Sequence, residues 1–381
     1  MIIRFLCSVA VVLYGVSAMH GQRINPYTQL MTKAGEHAKA HGALQPVLSP
    51  VDATVLGGEV PLKELQAKGF RVVPWTTNAP EKMRALIRMG VDGIISDRPD
   101  LLQQVLREER ESATGADKDR LARFDVSAHR GGRGLRPENT LPSFEAGLDE
   151  LSTTLETDTG VTTDGLSLIW HDQFLNPESC RRADGVRYAL ENKVYIRDIS
   201  SGEAQKTFIC DKLHFGPDQK NHLALSPVAV AFAKKEGLIS PYVPTYVEQL
   251  FRFVDFYVEY YRTGAGKGQP HAAERAQNAA RVRFNLETKI LPDNIAVPEG
   301  INDPEQYRNR TVGPQAFVDA LCGAIVKHRM ESRVEVQSFD FRTLVLVEEQ
   351  HPKIPTYYLT SGAKLLGSEL VPQPLRTSGA E

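Results

Sequence analysis

Short β-forming runs alternate with helical or loop segments along most of this chain, a pattern typical of a parallel sheet covered by helices. From Val126 onward six runs qualify as strands: VSAHRG, TLETDTG, LSLIWHD, VRFNLETK, VEVQSFD and TYYLTSG. Six strands would leave an open edge and an unclosed core, whereas a βα barrel needs eight. Two further candidates lie upstream, FRVVPWTTN and VDGIISDRP, each followed by a predicted helix. The alternation therefore predicts an α/β fold with an eight-stranded barrel.

A charged segment separates the two groups of strands. Residues 107–120, REERESATGADKDR, contain few apolar residues and are typical of a helix end followed by an exposed linker. We therefore expect residues 23–115 to supply two βα units and residues 116–381 to supply six strands. Residues from about 173 to 240 mix polar, Gly and Pro residues and are predicted to form an insertion after the third barrel strand.

The N-terminus has the composition of a secretory signal peptide. Residues 1–22 carry one early arginine, Arg4, and then an apolar run that is short for a membrane span. An uncleaved N-terminal anchor is the alternative. No other stretch is apolar enough to cross a bilayer, so the mature protein is expected to have no stable membrane span and to be secreted or periplasmic.

The cysteines bear on whether the chain forms a disulfide, and the net charge bears on which ligands it binds. In an oxidising compartment Cys180 and Cys210 could form a disulfide, and the alternative is that these two and Cys322 are buried thiols. The formal net charge of the chain is -2, with no cluster of Lys and Arg, so electrostatics gives no case for nucleic acid as a partner. A small anionic ligand held by a few local cations remains compatible with this balance.

Polar side chains stand at the C-terminal ends of the predicted strands, where βα barrels build their active sites. Glu156 and Asp158 are two residues apart on one strand and therefore share a face. Two carboxylates held so close favour a hard cation between them, and Ca²⁺ and Mg²⁺ prefer carboxylate oxygen. Together the candidates suit metal-assisted acid–base chemistry on a phosphate: His129, Arg130, Glu138, Glu156, Asp158, His171, Glu287 and Lys289, with Trp75 on the pocket wall.

Three stretches resemble the glycerophosphodiester phosphodiesterase family. AHRGGRGLRPENTLPSFEAG, LETDTGVTTDGLSLIWHD and FNLETK match its His-Arg-Gly, Pro-Glu-Asn-Thr, Glu-x-Asp, Thr-x-Asp-Gly, His-Asp and Glu-x-Lys motifs. The resemblance implies a TIM-type (βα)8 barrel that hydrolyses glycerophosphodiesters to an alcohol and glycerol 3-phosphate with a divalent metal ion, Ca²⁺ or Mg²⁺. It further implies metal binding by Glu156, Asp158 and Glu287, general acid and base roles for His129 and His171, and phosphate binding by Arg130 and Lys289. Glu138 is a further candidate ligand or loop-positioning residue.

The order of the motifs departs from that family. VVPWTTN and GVDGIISDRPDLL resemble its last two barrel strands and final helix, yet here they precede all the others. One explanation is a circular permutant, in which the last two βα units stand at the front and residues 107–120 join them to the rest. The other is a remnant of incomplete tandem copies. The two groups of strands complement each other without overlap, which favours the permutant.

Two other functions stay open at this point. A related phosphodiesterase acting on lysophospholipids or phosphoinositides would use a similar site, with a wider and more apolar mouth contributed by residues 173–240. A secreted barrel that binds a ligand without catalysing a reaction is a second alternative, of a different functional class. The motifs leave open the alcohol head group, the metal, which of the two histidines is the acid and which the base, and the oligomeric state.

Overall fold

A computed structural model describes residues 24–290 and 308–377 of the chain. The predicted signal peptide, residues 1–22, lies outside the described residues. The helices are α1 (Pro26–Ala40), α2 (Asp52–Leu56), α3 (Leu62–Ala67), α4 (Pro80–Met89), α5 (Pro99–Ser112), α6 (Gly115–Ala122), α7 (Leu141–Asp149), α8 (Ser201–Thr207), α9 (Pro227–Glu236), α10 (Val247–Arg262), α11 (Ala272–Ala279), α12 (Pro314–Lys327) and α13 (Phe341–Gln350). The strands are β1 (Val47–Pro50), β2 (Gly93–Ser96), β3 (Asp125–Ala128), β4 (Thr154–Val161), β5 (Ser167–Ile169), β6 (Arg181–Arg182), β7 (Phe208–Ile209), β8 (Arg283–Thr288), β9 (Val334–Ser338) and β10 (Thr356–Thr360).

Seven strands pair side by side in parallel, in the order β1-β10-β9-β8-β4-β3-β2. Residues 71–77, which we call the bridging segment, join the two ends of this row. On one side Val73 N donates to Leu48 O at 2.9 Å, and on the other Ile95 N donates to Pro74 O at 2.9 Å. The bridging segment is thus the eighth stave of a closed ring, and the predicted α/β barrel is confirmed.

Side-chain packing inside the ring agrees with this closure. Val47, Val73, Ile95 and Tyr357 come from β1, the bridging segment, β2 and β10, and they form one buried apolar cluster with Trp75 packed against it. Their neighbours along each stave face the other way, into the main core between the ring and its helices. This alternation is that of barrel strands, with one side chain facing the interior and the next facing the helices.

Two strand assignments made from the sequence change. LSLIWHD was expected to be a barrel strand, but β5 pairs antiparallel with β4 and lies outside the ring. The reason is the short turn between them, where Gly165 N donates to Thr162 O at 3.0 Å, since parallel strands need a much longer crossover. The missing stave is β1, so the front part of the chain supplies three staves and the remainder five.

The charged segment is also more ordered than expected. Residues 107–120 were predicted to be a helix end and an exposed linker, but α5 continues to Ser112 and α6 begins at Gly115. Arg110 Nη2 donates to Leu121 O at 2.8 Å, and the Leu121 side chain is buried. The apolar residue just beyond the charged run therefore holds α6 against the barrel, and only residues 113–114 break the helical path.

The long excursion, residues 173–240, follows the β4–β5 hairpin, not a third barrel strand. A disulfide joins Cys180 to Cys210, which confirms the first of the two alternatives, while Cys322 is a free buried thiol. A separate apolar cluster that includes Trp170 and Phe208 surrounds this disulfide. Among the described residues no helix is both long enough and apolar enough to cross a membrane.

Candidate active site

Side chains from several staves meet at the carboxyl end of the barrel. They surround a cavity of about 120 Å³. Because the staves are parallel, their carboxyl ends share one rim, so residues far apart in sequence meet there. The lining residues are Trp75, Thr76, Ile95, His129, Arg130, Arg133, Glu156, His171, Glu287, Lys289, Gln337, Phe339 and Leu359.

Three buried carboxyl groups stand together in this site. Glu156 and Asp158 come from β4 and Glu287 from β8, and one oxygen of each lies within 4.8 Å of the others. Burial, together with the charge of Asp158, raises the pKa of Glu156 well above its usual value. Burial likewise raises the pKa of Glu287 to about 7. Burial acts in the same direction on Asp158, but Arg130 outweighs it and holds the pKa of Asp158 below its usual range.

Two cationic side chains lie against these carboxyl groups. Arg130 Nη1 donates to Glu138 Oε2 at 2.7 Å, and Arg130 Nε is 3.2 Å from Asp158 Oδ2. Lys289 Nζ is 3.0 Å from Glu287 Oε1. With Glu156 included, four carboxyl groups face these two cations. Arg133, which is 3.5 Å from Glu138, is matched by Asp97, so the fully ionised site carries two excess negative charges.

This excess and the donor set fit a divalent cation. Carboxylate oxygens are the ligands that Mg²⁺ and Ca²⁺ prefer, and a charge of +2 would balance the cluster. Without such an ion the like charges are partly relieved by protons, which is what the raised pKa values of Glu156 and Glu287 express. Glu156, Asp158 and Glu287 are therefore the residues that could hold a metal ion.

Each of the two histidines pairs with a carboxylate through the same ring nitrogen. His129 Nδ1 is 2.5 Å from Asp97 Oδ1, and His171 Nδ1 is 2.7 Å from Asp172 Oδ1. Because an ionised carboxylate only accepts, we assign the proton of each neutral ring to Nδ1. In both rings this leaves Nε2 with a lone pair, and His129 Nε2 lies 3.9 Å from Glu156 Oε2.

Both imidazoles favour the neutral form. Burial lowers the pKa of His129 to about 4, against the opposing effect of Asp97. His171 is 32% exposed, and partial burial with the charges of Lys289 and Arg130 lowers its pKa too. At neutral pH each ring can therefore accept a proton at Nε2.

The glycine loop after β3 sets the position of Arg130. Residues 129–131 form a short 3-10 turn in which Arg130 itself has a φ of 50°, so its backbone N donates to Glu156 Oε2 at 2.8 Å. Gly131 follows with a φ of 80°, and a Cβ there would lie 2.6 Å from Ser143 Oγ and 2.8 Å from Phe144 N. Only glycine fits this close approach to the first turn of α7. Asn139 then closes the loop by donating to Asp158 Oδ2 at 3.0 Å.

The nine residues singled out from the sequence converge here. Seven line the cavity, and Asp158 and Glu138 lie directly behind Arg130. Sequence reasoning missed Asp97, Arg133 and Gln337. Asp97 ends the run VDGIISD and could have been found by the same strand-end rule. Gln337 ends VEVQ, and its amide donates to Glu156 Oε1 at 2.6 Å.

The curated proteins that resemble this chain match it over short stretches of sequence. The chain is 43% identical over 56 residues to a dermonecrotic toxin of Sicarius cf. damarensis, covering 15% of this chain and 19% of the toxin. It is also 43% identical over 56 residues to a probable glycerophosphodiester phosphodiesterase 2 of Mycobacterium tuberculosis, covering 13% of this chain and 21% of that protein. The chain thus spans about a fifth of the length of these curated relatives.

A solved structure and a family model complete the comparison. A phosphodiesterase of Oleispira antarctica, solved with the product sn-glycerol-3-phosphate, aligns with a TM-score of 0.35 and 16% identity over 61% of this chain and 64% of that one. The model of the glycerophosphoryl diester phosphodiesterase family matches residues 13–101 and 129–373, which is most of the sequence. The chain therefore belongs to the glycerophosphoryl diester phosphodiesterase family.

Proposed function

We propose that this chain is a metal-dependent phosphodiesterase that hydrolyses glycerophosphodiesters to an alcohol and glycerol 3-phosphate. The observation that carries the proposal is the cavity itself, in which two carboxylate-oriented histidines and two cations surround three buried carboxyl groups. Family membership supports the reaction class. The cavity residues supply the acid, base and charge that this reaction needs.

Glu156, Asp158 and Glu287 would hold a divalent cation, and their all-oxygen donor set favours Mg²⁺ or Ca²⁺. Such an ion would act as a Lewis acid toward the phosphoryl oxygens. Arg130 and Lys289 stand beside the same cluster and would neutralise the charge of the phosphodiester. Glu138 positions Arg130, and Trp75 forms part of the cavity wall with Phe339, whose ring centroid is 5.3 Å from its own.

His129 and His171 move the protons. Each presents Nε2 while a carboxylate holds Nδ1, so one ring can take the proton of the attacking hydroxyl at Nε2. The other ring, after taking up a proton from solvent at Nε2, can pass it to the leaving alcohol. Asp97 and Asp172 stabilise the imidazolium that forms at each ring during turnover. The two histidines are therefore a matched acid–base pair.

The shape of the cavity favours a small substrate over a lipid one. Its lining residues, among those that the structure describes, come from the barrel staves, the loop after β3 and the segment after β5. Residues 173–240 supply none of them, and the excursion meets the rim at Arg133, whose guanidinium carbon lies 4.3 Å from the centroid of the Phe215 ring. A glycerophosphodiester with a small, polar alcohol is the substrate that we propose.

Two further expectations belong to this proposal. We propose secretion or export to the periplasm on the basis of residues 1–22, and the Cys180–Cys210 disulfide is compatible with that compartment. We also propose that the chain is a circular permutant. In support, β1 pairs with β10 and the bridging segment pairs with β2, so one ring uses strands from both ends of the chain.

The test is hydrolysis of sn-glycero-3-phosphocholine by the full chain, with release of glycerol 3-phosphate as the readout. We expect EDTA to abolish turnover and added Mg²⁺ or Ca²⁺ to restore it. His129→Ala and His171→Ala should each lower kcat by about a hundredfold to ten-thousandfold. His271→Ala removes an exposed histidine that pairs with Glu274 and is the matched control.

Two outcomes would contradict the proposal. Absence of metal-dependent turnover on any phosphodiester would indicate the non-catalytic binding barrel. Faster turnover of lysophosphatidylcholine than of its deacylated counterpart would indicate the lipid-directed alternative.

A further inference from the structure

A second group of metal-ligand side chains lies on the outside of the barrel. His37 lies in the last turn of α1, and His41, four residues later, is the residue that caps the C-terminus of this helix, so the two side chains lie close together. Glu349 reaches them from α13, and one ligand atom of each of the three residues lies within 4.8 Å of the others. None of the three lines the barrel cavity. The group thus brings together side chains from two helices that are more than 300 residues apart in sequence.

Hydrogen bonds orient both imidazoles for coordination. His41 Nδ1 is 2.9 Å from His37 O, and because a carbonyl only accepts, His41 carries a proton on Nδ1 and its Nε2 is left for a ligand. His37 Nδ1 is 2.8 Å from Oε2 of Glu348, a fully buried carboxyl group. Glu348 is itself held by the hydroxyls of Thr356 and Tyr358 at 2.7 and 2.9 Å. A fixed carboxylate behind an imidazole is the usual partner of a metal-binding histidine.

One distance between ligand atoms equals the separation of two ligands on a tetrahedral ion. His37 Nε2 is 3.3 Å from Glu349 Oε1. Two ligands that each lie about 2.0–2.1 Å from a tetrahedral zinc ion are about 3.3–3.4 Å apart. Both ring nitrogens of His37 face carboxylates, and a hydrogen bond from Nδ1 to Glu348 satisfies one of them. A cation between His37 Nε2 and Glu349 would satisfy the other.

We propose that His37, His41 and Glu349 bind a divalent transition metal of the zinc class, with Glu348 as the residue that orients His37. Imidazole nitrogen suits Zn²⁺, Cu²⁺ and Ni²⁺, whereas the all-carboxylate cluster of the cavity suits Mg²⁺ and Ca²⁺. The two sites therefore select different ions. A metal at this outer site links α1 to α13 and stabilises the fold. It takes no part in the hydrolysis, so the inference is independent of the proposed function.

The experiment measures thermal unfolding of the full chain against Zn²⁺ concentration, with excess Mg²⁺ present to occupy the cavity. Because an ion that binds only the folded state stabilises it, Tm should rise with the logarithm of the zinc concentration. His41→Ala and Glu349→Gln alter exposed side chains and should weaken zinc affinity by about tenfold or more, the range seen even for orienting partners. His271→Ala, which alters an exposed histidine elsewhere, should leave the affinity unchanged.

A second measurement does not depend on stability. Co²⁺ at a site with imidazole ligands should give a visible absorption band in the wild type that His41→Ala abolishes and Zn²⁺ displaces. The proposal would be overturned if the wild type showed no zinc-dependent rise in Tm up to millimolar zinc. It would equally be overturned if His41→Ala and Glu349→Gln both kept the wild-type zinc response and Co²⁺ spectrum.

Discussion

Asp97 is the residue whose replacement tests the acid–base arrangement most directly. Its Oδ1 accepts from His129 Nδ1 at 2.5 Å and from Arg133 Nε at 2.7 Å. Burial would raise the pKa of Asp97, but its bonds and charge interactions with His129 and Arg133 lower that pKa far below its usual value. Asp97 is thus ionised at neutral pH and stabilises any positive charge that forms on His129.

Asp97→Asn keeps the shape of the side chain and removes the charge. A hydrogen bond to a charged group contributes about 1.5–3 kcal/mol, which corresponds to a fall in kcat of about tenfold to 150-fold. If the amide NH₂ turned toward the ring, His129 would adopt its other tautomer and the fall would approach about ten-thousandfold. Asp100→Asn is the matched control, since Asp100 pairs with Arg98 and does not line the cavity.

The assay compares kcat for glycerol 3-phosphate release from sn-glycero-3-phosphocholine at saturating Mg²⁺, with Tm as the check on folding. The decisive comparison is the double variant. If Asp97 acts through His129, then Asp97→Asn should change kcat by less than about threefold when His129 is already alanine. An undiminished effect in that background, or a wild-type kcat in a normally folded Asp97→Asn, would refute the reasoning.

Three further predictions concern stability and assembly. Replacing Cys180 and Cys210 together by serine removes a disulfide that closes a loop with a sequence separation of 30. The free energy of unfolding, measured by urea titration, should fall by about 3–4 kcal/mol. An unchanged free energy of unfolding would show that the disulfide does not stabilise the excursion. Burial raises the pKa of Glu145 from 4.5 to about 8, so the folded chain keeps a proton that the unfolded chain releases. The contribution of this proton to the free energy of unfolding is fully present below about pH 4.5. It is lost as the pH rises to about 8, and the free energy of unfolding then falls by up to about 1.4 kcal/mol per pH unit. Glu145→Gln should flatten that slope, and equal slopes in both proteins would contradict the assignment. Finally, residues 24–113 and 114–381 produced as separate chains should be inactive alone and active when co-expressed, whereas an active 114–381 fragment would show that the front staves are dispensable.

The site was more predictable from the sequence than the path of the chain. Polar residues at strand ends, such as His129 and Glu287, could be located because parallel strands deliver their carboxyl ends to one rim. The same rule applied to VDGIISD would have supplied Asp97. Gln337 was harder to identify, because an amide at the end of a strand has no distinctive chemistry until its partner, Glu156, is known.

The strands that escaped prediction did so for identifiable reasons. β1 has only four residues, follows Pro46 and ends at Pro50, and prolines argue against a central strand when only the sequence is read. β5 has the composition of a buried strand. Its residues alone therefore do not show whether it is a strand of the barrel or the second strand of a hairpin. That difference is decided by the turn before it, which is too short for a parallel crossover.

The pairing of β1 with β10 has a consequence for how the protein is made. β1 emerges from the ribosome about three hundred residues before its partner, so its outer edge must wait unpaired while those residues are made. Pairing between strands so far apart in sequence raises the entropic barrier to ring closure. Until the ring closes, unpaired strand edges are exposed and prone to aggregation. Biogenesis should therefore depend on holdase chaperones, and closure should come only after β10 has been made.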